Sequence, residues 1–347
     1  MKVISIVNQK GGCGKTTLAV NFAATLSRMG NEVLLIDLDP QAHATFALGY
    51  RENNLEKKTS YDIFRSHIEG EPLPFGEIVI GDRPKLAFIP SNMLLSAAEI
   101  NLGTMHGAAS ILSRTLFEPF FEKYEYVIID SPPSFGFLTL NSMYAADMIV
   151  VPIDLGYFSF NGINGVYRVK SLLDKETGRS PSIFFVLNIF DPRSNFASNL
   201  EKDAKQKLGE YLLNSKIRSS VKLREASKEG KTIFEYDYKC TAALDYYNFT
   251  SEILNVEKID LGLIVKEFLY RAPEAGAVYV LGDFNGWKKT EAAKLAKDDD
   301  GSWRAHLSLK KGKYRYKYLV DETWVNDPIN PEIEENAFGS VDSVVTI

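Results

Sequence analysis

The chain has 347 residues and a net charge of −5 at pH 7. That is more than one typical domain holds, so two domains are expected. A molecule acidic overall is not a general polycation, so any nucleic-acid contact has to come from a local patch. Apolar residues make up 45% and charged residues 24%, which excludes a disordered or fibrous chain and suits a soluble globular one.

Residues 3–8 (VISIVN) are a short, β-branched apolar run of the kind a strand buried on both faces requires. The run is too short for the apolar region of a signal peptide, and it leads directly into Val7–Thr17, VNQKGGCGKTT. The second half of a phosphate-binding loop is present in Gly14-Lys15-Thr16, but Gln9 stands where the first glycine belongs, and Lys10 adds a second lysine. The N–H groups of Gly11, Gly12, Cys13, Gly14, Lys15 and Thr16 can wrap a β-phosphate. Lys15 would reach the β/γ oxygens, and the Thr16 hydroxyl would bind Mg²⁺. Thr17 completes the candidate nucleotide-binding set. Cys13 in the loop raises a redox switch as one reading and a tolerated small residue as the other.

From Thr16 to Met29 apolar residues fall at helical spacing, with Gly30 as the stop. The buried strand VLLID (33–37) follows and ends in Asp37, with Asp39 close behind. YVIID (126–130) ends in Asp130, the place for a carboxylate that holds the Mg²⁺ shell. Strand-end carboxylates beside the loop favour a ligand crevice over simple helix caps. MIVVPI (148–153) and IFFVLN (183–188) are further strands, and Leu200, Ala204, Leu208 and Leu212 share one helical stripe. This alternation predicts an α/β domain, a parallel sheet with helices on both faces. His43, His67, His106 and His306 lack ligand spacing, so they predict no metal site. Cys13 and Cys240 give no disulfide framework and suit a reducing cytosol.

After Asn255 the pattern changes to short alternating runs separated by Asn285-Gly286, Asp300-Gly301 and Lys311-Gly312. They predict an all-β, immunoglobulin-like sandwich. The expected division is 1–255, a linker over 256–265, and 266–347.

KGGCGKTT, VLLIDLDPQ, VIIDSPPSFG and VKLREASKEGKTI together resemble the ParA/Soj/MinD deviant Walker P-loop ATPases, closest to the partitioning branch. The resemblance covers roughly residues 1–255. It implies ATP and Mg²⁺ as cofactors, a homodimer with ATP, and slow hydrolysis. Lys10 matches the signature lysine that reaches the partner's phosphates. Lys10, Lys15 and Asp39 would be catalytic, Asp39 by placing the attacking water; Thr16, Asp37 and Asp130 would serve the metal; Asn188 would read adenine. A ParB-like activating protein is an implied partner, and the cytoplasm, on the nucleoid, the implied location. One departure stands out. The acidic residue that follows VVPI in the family falls at Gly156 here, in the run Asp154-Leu155-Gly156.

Non-specific DNA is the expected docking surface rather than membrane, since no terminal amphipathic helix is evident. Residues 202–231 carry nine Lys/Arg against four Asp/Glu. Arg193 and Lys222 match family DNA contacts, with Arg218, Arg224 and Lys231 nearby; a solvated helix face is the other reading.

YVLGDFNGW, DDDGSW, YRYKYLVDETWVNDP and GSVDSVV resemble the glycogen-binding domain of the AMP-activated kinase β subunit and the N-terminal domains of branching enzymes and isoamylases. The resemblance makes Trp287, Lys317, Trp324, Phe338, Ser340 and Asp342 the candidate carbohydrate-binding residues. Asp342 replaces the family asparagine, and the Pro331–Gly339 segment is one residue longer. Tryptophans in the core of a sandwich that binds a protein are the alternative. Two functions are therefore open: a partitioning ATPase with an adaptor module, or a nucleotide-switched α-glucan regulator with no DNA role.

Overall fold

The computed structural model describes the chain except residues 52–57, 104, 155–159, 178–179, 194, 257–262, 291–292, 299, 311 and 337–338. It divides into two compact units, Met1–Phe158 with Leu172–Glu257, and Ser159–Ser171 with Lys258–Ile347.

The first unit is built on an eight-stranded sheet. Its strands are Lys2–Ile6 (β1), Val33–Asp37 (β2), Ile80–Arg83 (β3), Leu86–Ile89 (β4), Tyr126–Asp130 (β5), Met148–Ile153 (β6), Ser182–Phe190 (β7) and Leu212–Arg218 (β8). The spatial order is β3-β4-β2-β5-β1-β6-β7-β8. All neighbours run parallel except β3 and β4, which form an antiparallel pair at one edge. Pro84 and Lys85 turn that hairpin, with Lys85 in the left-handed region at φ 56°. β2 and β6 are buried along their whole length, as strands covered on both faces must be.

The helix after the first loop spans Lys15–Arg28 and buries Leu18, Phe22 and Leu26. The helical stripe expected to reach Leu212 stops earlier. The helix is Asn195–Leu208, Gly209 takes a positive φ of 55°, and Leu212 opens β8 instead. Glycine reaches that conformation without steric cost, so it ends the helix although the apolar spacing continues.

The second unit adds Leu263–Arg271 (β9), Val278–Gly282 (β10), Ala296–Lys297 (β11), Ser302–Lys310 (β12), Lys313–Val320 (β13), Thr323–Val325 (β14), Ile333–Glu335 (β15) and Val341–Thr346 (β16). One antiparallel sheet has the order β10-β13-β16-β15, with β14 on β13, and the other β11-β12-β9. Phe268, Trp303 and Leu309 from one sheet meet Val280, Tyr316, Tyr318 and Val345 from the other in one core. This is the expected sandwich. The last helix of the first unit runs to Val256 and β9 opens at Leu263, so of the stretch expected as linker, 256–265, residue 256 is helical, 263–265 are strand and 257–262 lie outside the described residues.

Candidate functional site

The register places the chemistry before any side chain is considered. Ile6 in β1 pairs with Asp130 in β5, and Asp130 pairs with Asp37 in β2. The loop after β1 and both carboxylates therefore open onto the same carboxyl edge of the parallel sheet. Gly12 and Gly14 take positive φ of 79° and 83°, as a wrapped anion loop needs. A Cβ on Gly14 would stand 2.5 Å from the Asn188 amide nitrogen.

Lys15 is buried, and its Nζ donates to the Lys10 carbonyl at 3.1 Å. Asp37 is fully buried. One of its oxygens accepts from the Asp39 N–H at 3.0 Å, the other from the Thr45 N–H and hydroxyl at 2.9 and 2.8 Å. Burial pushes its carboxyl up to about 7. Asp39, also buried, turns the chain with an oxygen that accepts from Gln41 N–H at 2.9 Å. Asp130 is fully buried, and neither of its oxygens has a hydrogen-bond donor among the described residues. Burial and the charge of Asp37 hold its carboxyl well above the ordinary range, while the nearby Thr16 hydroxyl and Lys15 ammonium oppose them. Cys13 is buried with its thiol directed at the Lys10 carbonyl at 3.3 Å, and burial pushes the thiol up, against a redox role.

Asn188 does not stand clear of the loop. Its Nδ2 donates to the Cys13 carbonyl at 2.8 Å, so its amide braces the phosphate loop. Two residues that the sequence reading passed over do similar work. Asn8 donates to the Pro152 carbonyl at 2.7 Å and accepts from Lys10 N–H at 2.9 Å. Thr45 anchors Asp37. Their signal is a polar residue directly after a buried strand, or in the first helix beyond it.

Four of the five basic candidates have acid partners. Arg193 is forked onto Asp191 at 2.9 and 2.8 Å, and Lys222 is paired with Asp237. Lys231 is paired with Glu229, and Arg218 grips the buried Asp245 through Nε at 2.9 Å. Arg224 is exposed on the helix Val221–Lys228.

In the second unit, Trp287, Lys317, Trp324, Ser340 and Asp342 line one groove of about 530 Å³. Phe338 lies outside the described residues. The indoles of Trp287 and Trp324 are 6.1 Å apart and inclined by 53°. Trp324 is 50% exposed, whereas Trp303 is a core residue at 5%. Backbone in the left-handed region sets both faces: Trp287 has φ 60°, and Asp321 and Glu322 make the turn before Trp324 with φ 42° and 69°. Trp287 Nε1 is fixed on Asp283 at 3.1 Å. At the groove floor Lys317 meets Ser340 Oγ and Asp342 Oδ1, each at 3.1 Å. Asn336, unremarked in the sequence, donates to the same two oxygens at 2.7 Å. Asn336 thus places an amide beside Asp342 in the groove. Arg315 also lines the groove.

A family model described as an AAA domain matches residues 1–181. The sporulation initiation inhibitor protein Soj of Bacillus subtilis is 34% identical over 253 residues, 73% of this chain and 98% of that protein. The chromosome partitioning protein ParA of Caulobacter vibrioides is 33% identical over 261 residues, 74% of this chain and 96% of that one. The chain belongs to the Soj/ParA family of ATPases. The ParA-like unit also resembles the crystal structure of cobyrinic acid a,c-diamide synthase from Mycobacterium smegmatis with a bound ATP analogue and magnesium. That match has TM-score 0.63 and 26% identity, and covers 74% of this chain and 96% of that one. A second family model, the glycogen recognition site of AMP-activated protein kinase, matches residues 267–347. This Soj/ParA chain therefore carries a carbohydrate-binding-module-like sandwich after its ATPase.

The ParA-like site fits a divalent cation. Asp130 offers two buried oxygens with no donor, next to Asp37 and the Thr16 hydroxyl, an all-oxygen set of the kind Mg²⁺ takes. Among the described residues no helix is long and apolar enough to cross a membrane.

Proposed function

We propose that this chain is an ATP-switched positioning ATPase whose C-terminal module holds α-glucan. ATP with Mg²⁺ joins two copies face to face, slow hydrolysis separates them, and the ATP form docks on nucleoid DNA in the cytoplasm. An activating protein of ParB type is the expected trigger for hydrolysis. The observation that carries the reading is the loop at the sheet edge. Buried Lys15 lies within it, beside Asp37 and Asp130 at adjacent strand ends.

The N–H groups of residues 11–16 cradle the phosphates, and Lys15 compensates their charge where water is excluded. Thr16, Asp37 and Asp130 would hold Mg²⁺, which when bound neutralises charge on the β- and γ-phosphate oxygens. Asp39 orients the attacking water and accepts its proton. Asn188 and Asn8 keep the loop in shape. Lys10 supplies a cation to the nucleotide of the second copy, so the bound phosphates join the two subunits.

At the module, inclined indoles suit a polymer whose successive sugar rings turn, as in an α-1,4-glucan, better than a flat ribbon. Lys317, Ser340 and Asn336 face the hydroxyls. A second reading, a glucan regulator with no DNA role, draws on the acids that already occupy Arg193, Arg218, Lys222 and Lys231. The deciding experiment measures ATP turnover and binding alone, with DNA, and with glycogen. ATP-dependent DNA binding that weakens steeply with salt, and is lost in Arg193→Glu with Lys222→Glu, supports the positioning role. Glycogen binding by a protein that never binds DNA supports the second.

A further inference from the structure

We propose that Asp154 is a positioning residue that parks Lys10 within its own subunit, and so sets how readily ATP joins two copies. The inference rests on the reading of Lys10 as the lysine that acts on the partner's nucleotide. It departs from the family pattern, which places its acid where this chain has Gly156.

The geometry is a built clasp. Lys10 Nζ donates to both oxygens of Asp154, at 2.8 and 2.7 Å. The two side chains are 29% and 18% exposed, so water screens the pair only in part. Both partners stand on fixed ground. Asp154 directly follows β6, and β6 pairs with β1 through Ile6 and Val150. Past the end of β1 the zipper continues, with Val7 N–H on the Val150 carbonyl at 3.1 Å and Asn8 Nδ2 on the Pro152 carbonyl at 2.7 Å. Asn8 then holds Lys10 N–H at 2.9 Å. The loop arm and the acid are thus tied to one ledge, and the lysine head spans the short gap between them.

One ammonium cannot serve Asp154 and a phosphate of another subunit at full strength together. A lysine retained in cis has to be released before it can act in trans. The phosphates of a bound nucleotide, with their higher charge, are the competitor that draws it away. A dimer opens two such clasps, one per subunit. A partly exposed ion pair is worth about threefold in an equilibrium, so two clasps lower the dimer association constant by about tenfold.

The test is the full-length chain with Mg²⁺ and a non-hydrolysed ATP analogue, its mass followed by light scattering across a dilution series. Asp154→Asn should dimerise about tenfold more tightly than wild type, with an unchanged melting temperature. Asp154→Glu, which restores the charge, should return toward wild type. Lys10→Ala with Asp154→Asn should stay monomeric, because the clasp acts only through the lysine. Equal or weaker dimerisation of Asp154→Asn, beside a wild type that dimerises, overturns the clasp and leaves the role of Lys10 standing. A double variant that dimerises overturns it also. A wild type that never dimerises overturns both.

Discussion

Asp37 and Asp130 sit fully buried at adjacent strand ends, which is costly for two carboxylates unless something positive joins them. Their raised pKa values give the metal-free protein a definite pH response. Where the folded state holds a proton that the unfolded state releases, stability falls as pH rises from the ordinary carboxylate range, about 4, toward about 7. Mg²⁺ with nucleotide needs the ionised forms, so its stabilisation should be larger at pH 8 than at pH 6. Melting curves with and without Mg–nucleotide at the two pH values check this; equal shifts would show that these carboxyls are not the ligands. Asp39 has a separable part. Asp39→Ala leaves the phosphate loop intact, so it should bind ATP as wild type does while turnover drops by at least about tenfold. Single-turnover hydrolysis beside calorimetric binding separates the two quantities. The buried acids at 37, 39 and 130 are legible in the sequence because each ends an apolar run or closely follows one. For Asn8 and Thr45 the sequence shows at most a polar residue near a strand end, and for Asn336 not even that; their partners are not legible, since they are atoms that only the folded chain brings near.

Among the elements, strands buried on both faces were the easiest to read. Val33–Asp37, Tyr126–Asp130 and Met148–Ile153 coincide with the apolar runs. β8 was hidden because an edge strand with sequence LLNSKIR mixes polar and apolar residues, and because Gly209 interrupts a stripe whose spacing alone says helix. β3 and β4 were hidden by their shortness. In the sandwich the tryptophans divide by position: Trp303 fills the core, and Trp287 and Trp324 face the groove. Trp303→Ala should therefore cost about 3–5 kcal/mol. Trp324→Ala should shift stability by about 0.5 kcal/mol or less and abolish retention on glycogen. Thermal melts of the two variants alongside co-sedimentation with glycogen make the comparison. A large loss of stability in Trp324→Ala, with no glycogen binding by the wild type, would return that residue to a structural role.

On the scale of the molecule, the two-part organisation was visible as a change of period, from buried runs with helices between them to short alternating strands. The ion pairs were not visible. Counting charges over 202–231 suggests a basic surface, yet Lys222 and Arg218 are tied to Asp237 and Asp245, which lie outside that segment in sequence. Binding of DNA would have to exchange those partners for phosphates, so it should be weak and strongly salt-dependent. The proposed switch, in which ATP joins two copies through the second lysine, is open to one decisive measurement: the mass of the whole chain with Mg²⁺ and ATP, by light scattering, for wild type and Lys10→Ala. Wild type should double its mass, while Lys10→Ala should bind one nucleotide per chain and remain a monomer. A Lys10→Ala protein that doubles with ATP as wild type does would contradict it.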